Sequence, residues 1–63
     1  MTVRPDGALA FRHAGVTVVL VPSHADRRRL RWWTPTISGR AIAAAASTPR
    51  IAAAMAIAAL GRA

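Results

Sequence analysis

The sequence predicts an α+β chain: a small β-hairpin or three-stranded antiparallel sheet followed by two short alanine-rich helices. Three observations predict it. Residues 8–21 alternate in polarity around a glycine and then turn densely β-branched. Residues 29–37 hold two tryptophans, two threonines and an isoleucine, the residue types that suit a pleated, half-buried surface. From Ser38 onward alanine dominates, and Ile51 to Leu60 carries no polar side chain at all.

In chain order, residues 1–7 read as an N-terminal arm with only Val3 to bury. Arg4-Pro5-Asp6-Gly7 within it has proline and glycine where a type I or II turn uses them. LAFRH then places Leu9, Phe11 and His13 on one side and Ala10 and Arg12 on the other. Ala14-Gly15 supplies a tight connection to VTVVLV, so a hairpin is expected with strands near 8–13 and 16–21. In the second strand Val16, Val18 and Leu20 share one face, and Thr17, Val19 and Val21 the other. That strand is apolar on nearly both sides, which requires a central place or a neighbour over its outer face.

Between Pro22 and Pro35 two readings compete. Ser23 followed three residues later by Asp26 resembles a capping box that opens a helix, but four arginines in the next five positions would repel along it. The favoured reading is a polar loop, 23–28, feeding a third strand from about Arg29 to Thr34. Leu30 and Trp32 then face the core, Arg29, Arg31 and Trp33 face outward, and Pro35 confines the strand to an edge or ends it.

Residues 38–63 form the helical segment. Ser38 is expected to cap a first helix through Ala46. Thr48-Pro49 restarts a second, because proline suits the first helical position and breaks an interior one. The second helix is expected to run to about Leu60 with Gly61 just past its end and Arg62 near the negative end of its dipole. Ten residues from Ile51 to Leu60 make a rod of about 15 Å. A surface helix shows a polar face opposite its apolar stripe, and this one has none.

Sixty-three residues make one small domain, of a size at which a lone chain buries only about 60% of its unfolded surface. There is no cysteine, so neither a disulfide nor a thiolate metal site contributes. Much of the apolar content is alanine, which buries a single methyl worth about 0.8 kcal/mol, against a backbone ordering cost of about 1–2 kcal/mol per residue. Little is left to hold an isolated monomer together.

The formal charge is +7: all nine basic residues are arginine, opposed only by Asp6 and Asp26. High-GC codon usage would give the same arginine and alanine bias. The functional reading is that guanidinium groups bind phosphate and carboxylate bidentately and stack on aromatics, which points to anionic partners. No secretory signal is visible, since MTVRPDGALAFRHAG lacks an apolar run after a basic start. Pro49 and Arg50 interrupt the apolar C-terminal half, which disfavours a membrane span and makes membrane association an unexpected role.

Material for catalysis is scarce: His13, His24, Asp6, Asp26 and a few hydroxyls. Ser23, His24 and Asp26 are neighbours in one stretch, which serves capping better than a triad assembled from separate segments. His13, His24 and Asp26 have no metal-ligand spacing. The chain is therefore expected to be no enzyme and to hold no metal or cofactor.

Two features remain. Arg27, Arg28, Arg29 and Arg31 with Trp32 and Trp33 offer phosphate contacts and base stacking, docking onto an acidic protein groove, or a local cation–π contact. The apolar helix offers Ile51, Met55, Ile57 and Leu60 to a neighbour. The leading expectation is a structural or assembly subunit packed among other protein subunits, homo- or hetero-oligomeric, in a larger particle such as a phage virion. Its interface is Arg29, Arg31 and Trp33 together with the helix, and its place is the virion or the cytoplasm. The alternative is a basic nucleic-acid-binding module built on Arg27–Trp33.

Overall fold

A computed structural model describes residues 1–23 and 32–62. They form a five-stranded antiparallel sheet and one C-terminal helix, an α+β arrangement. The strands are β1 (Thr2–Val3), β2 (Leu9–His13), β3 (Val16–Pro22), β4 (Trp33–Ile37) and β5 (Arg40–Ala41), and the helix α1 is Pro49–Gly61. Spatial order follows chain order, β1-β2-β3-β4-β5, so the sheet is a meander in which each strand pairs with the next.

The residues expected to be a free arm partly join the sheet: Thr2 and Val3 pair with Ala10 and Leu9. The turn predicted at Arg4–Gly7 forms and makes that pairing reachable. The Gly7 amide donates to the Arg4 carbonyl at 2.9 Å, and the Ala8 amide donates to Asp6 Oδ1 at 3.0 Å. The β2–β3 hairpin also forms as expected, with His13 opposite Val16 and Phe11 opposite Val18. Its two-residue turn needs left-handed backbone at both positions, and Ala14 and Gly15 supply it at φ 51° and 79°.

The expected helix over 38–46 is absent, and a second hairpin stands in its place. Ser38 and Gly39 take φ 51° and 80° and return the chain so that Arg40 lies opposite Ile37 and Ala41 opposite Thr36. A run of six residues is too short to sustain a helix by propensity, whereas the sheet edge offers it backbone partners at once.

The strand expected from about Arg29 to Thr34 has its first residues, 29–31, outside the described residues; among those described, β4 begins at Trp33 and continues through Pro35 to Ile37. Proline is tolerated inside this sheet because of the direction in which its missing amide would point. Bonding alternates along an antiparallel ladder. With the two-residue hairpin fixing the β2–β3 register, Thr34 and Thr36 bond β3, while Trp33 and Pro35 point toward the β5 side. There the Pro35 carbonyl still accepts from the Ile42 amide at 3.0 Å, and Trp33 exchanges both backbone bonds with Ala46 at 2.8 and 2.9 Å. Ala43, Ala44 and Ala45 thus stand opposite Thr34 alone and bulge from the edge. The strand loses one donor, on the side where the neighbouring chain is already irregular.

One face of the sheet carries the core. Val18 and Leu20 are fully buried on it, with Leu9, Phe11, Trp33 and Ile37 packed around them. Helix α1 lies over β3 and β4 and meets this face through Ala52 and Ala56, both fully buried and one turn apart. Alanine at these positions lets the helix backbone approach the sheet closely. The opposite face presents Thr17, Val19, Val21, Thr34 and Thr36, of which Thr36 is pinned by a 2.9 Å hydrogen bond from its hydroxyl to the Val19 carbonyl.

Candidate functional site

Helix α1 starts where the sequence places it. Thr48 is extended at φ −131°, ψ 151°, its hydroxyl oxygen accepts from the Ile51 amide at 3.2 Å, and Pro49 opens the first turn. The far end runs one residue longer than expected: Gly61 is the last helical residue and Arg62, in right-handed geometry, is the cap.

At 3.6 residues per turn, Ile51 and Ile57 lie about 120° to either side of the buried Ala52–Ala56 stripe. They are 49% and 41% exposed. Between them the solvent-facing arc carries Ala54 and Ala58, with Arg50 near the N-terminal end. Outside the described basic pair Arg50 and Arg62, nothing polar lies on the helix surface. The four helix residues named from the sequence do not form one stripe. Ile51 and Met55 follow one flank, Ile57 and Leu60 the other, and Met55 and Leu60 are half-buried against the core.

The Ile51 flank borders an open groove of about 270 Å³. Met55, Ala58, Ala59 and Arg62 form one wall, and Ile42 and Ala43, where the edge strand begins to bulge, form the other. The sequence gives no direct sign of this groove, because the wall opposite the helix was expected to be helical itself.

The Arg/Trp stretch is arranged differently from expectation. Trp32 is 45% exposed, whereas Trp33 is half-buried and packs against the core, the reverse of the predicted facing. The cause is register: Trp33 stands opposite Pro22 and exchanges bonds with Ala46, which turns its ring toward α1's side of the sheet. Trp33 is thereby largely withdrawn from the surface for which it was named. Arg27, Arg28, Arg29 and Arg31, and the possible capping pair's Asp26, lie outside the described residues. Ser23 and Trp32 are the described residues on either side of that stretch. These two are bonded to each other, the Ser23 amide donating to the Trp32 carbonyl at 2.7 Å and the Trp32 amide to Ser23 Oγ at 3.1 Å.

Of the groups weighed for catalysis or metal binding, Asp6 is engaged in its own turn and His13 ends β2 opposite Val16, while His24 and Asp26 lie outside the described residues. Among the described residues no three metal-ligating side chains gather, and no helix is long and apolar enough to cross a membrane. Comparison with protein-family models, with curated proteins and with solved structures returns no match, so the site is defined by its own geometry alone.

Proposed function

We propose that this chain is a non-enzymatic structural subunit that packs against other protein subunits in a larger particle, as a virion decoration, cement or connector protein does. One observation carries the reading: among the described residues α1 is covered by its own sheet on one side only, and its outer arc presents Ile51, Ala54, Ile57 and Ala58, with Arg50 at the N-terminal end as the one polar side chain on it. An arc of that composition is stable in water only at a cost that a partner removes. Virion or cytoplasm is the compartment that goes with such a role. The test is the sedimentation of the chain in a lysate of the cell that produces it. The chain is expected in a fast-sedimenting species, and recovery only as a free 6.6 kDa monomer would overturn the proposal.

A second reading rests on a different observation, the exposure of Trp32, which in the sequence directly follows Arg27, Arg28, Arg29 and Arg31. In it, Arg27, Arg28, Arg29 and Arg31 contact a nucleic-acid backbone and Trp32, rather than Trp33, stacks on a base. Quenching of tryptophan fluorescence by single-stranded DNA, lost in Trp32→Phe, would favour it. So would an affinity that falls by about 10³-fold or more between low and moderate salt.

A further inference from the structure

We infer that the groove between α1 and residues 42–43 seats one large apolar side chain of an acidic partner segment, with a carboxylate of that segment paired to Arg62. The inference rests on the assembly reading above and specifies the partner it calls for. Three features lead to it. The groove is apolar along Ile42, Ala43, Met55, Ala58 and Ala59 and ends at a single guanidinium. Ile51, Met55, Ala58 and Arg62 follow one another at helical spacing, so an elongated segment lying along α1 meets apolar surface first and charge at the end. At about 270 Å³ the groove falls below the roughly 300–1,000 Å³ of pockets that enclose a whole small ligand, and suits the one anchor residue of a peptide.

Charge decides between occupants. A second copy of this chain would bring +7 against +7 and has only two carboxylate side chains. One of these, Asp6, already accepts from the Ala8 amide. An acidic segment meets the opposite condition: each of its carboxylates is attracted by the chain as a whole, and one has Arg62 beside the groove. Ile51, Met55, Ala58 and Arg62 stand at i, i+4, i+7 and i+11 on one flank of α1, so a helical segment laid along that flank can place one of its apolar anchors in the groove and a carboxylate at Arg62.

The test uses three synthetic peptides of about 16 residues with leucine at i, i+3, i+4 and i+7 spacing. In the first the remaining positions are glutamate. In the second they are lysine, and in the third glutamate is kept but every leucine is alanine. Each is titrated into the isotopically labelled chain and followed by amide chemical shifts. The glutamate–leucine peptide is expected to bind and to shift Ile42, Ala43, Met55, Ala58 and Arg62, while the other two bind at least tenfold more weakly, about the penalty for losing a hot-spot contact. Arg62→Glu and Ala58→Phe, both at exposed positions, should each weaken it by about tenfold or more with the remaining spectrum unchanged. Equal binding of the alanine peptide would reduce the effect to bulk charge and overturn the inference. So would shifts centred elsewhere, or unchanged affinity in a folded Arg62→Glu chain. Retention of both variants in the fast-sedimenting species, with loss of an Ile57→Glu variant from it, would remove the groove and leave the assembly reading standing.

Discussion

Leu20→Ala is expected to abolish the fold, at a cost of about 2–5 kcal/mol for a fully buried leucine truncated to alanine. Leu20 is completely shielded from solvent, stands opposite Leu9 on one side and Pro35 on the other, and lies in the cluster that receives Ala52 and Ala56. Only Leu20, Val18 and Pro35 among the larger side chains of the described residues are fully buried. A single small core of this kind rarely supplies more than about 3–5 kcal/mol of net stability, so one deletion removes most or all of it. The measurement is the yield of protease-resistant chain from the producing cell, with Leu20→Met as the volume-conserving control. Near-normal yield of Leu20→Ala would mean that the sheet–helix core is not what holds the chain together.

The second large effect is expected from Ile51→Glu combined with Ile57→Glu. Both side chains are nearly half exposed and flank the outer arc of α1, so their replacement removes little from the chain's own core. In a packed subunit interface they would be buried apolar anchors, and a charge placed there is desolvated without a partner. Losses of about 2 kcal/mol or more per anchor are usual when such positions are truncated, which corresponds to roughly a 10³-fold loss for the pair. The double variant is expected to keep its circular dichroism spectrum and to leave the fast-sedimenting species. A double variant that remains in that species would assign the interface to another surface, such as the Thr/Val face of the sheet.

The elements written in local signals were legible in the sequence. Ala14-Gly15 between two alternating runs marked the first hairpin, and Thr48-Pro49 marked the start of α1, because each depends on a few adjacent residues whose backbone preferences agree. The elements that depend on distant partners were not. Ser38-Gly39 is a turn pair of the same kind as Ala14-Gly15, but the alanines after it read as helix, and only the β4 edge makes Ala41, Ile42 and Ala46 strand-like. Pro35 argues against an interior strand until the direction of its absent amide is known. The facing of Trp32 and Trp33 followed from that same register, and a shift of one residue exchanged them. The apolar circumference of α1 was legible from composition, while the division between buried alanines and exposed isoleucines was not. Large residues would be assigned to the core before small ones, yet the close approach of helix to sheet selects Ala52 and Ala56 and leaves Ile51 and Ile57 outside.

Light scattering of the purified chain at micromolar concentration, together with its thermal melt, tests most directly whether it depends on neighbours. The expected result is either a mass well above 6.6 kDa or a chain without a cooperative transition until an acidic partner is added. A monodisperse 6.6 kDa species that melts sharply on its own would contradict the account.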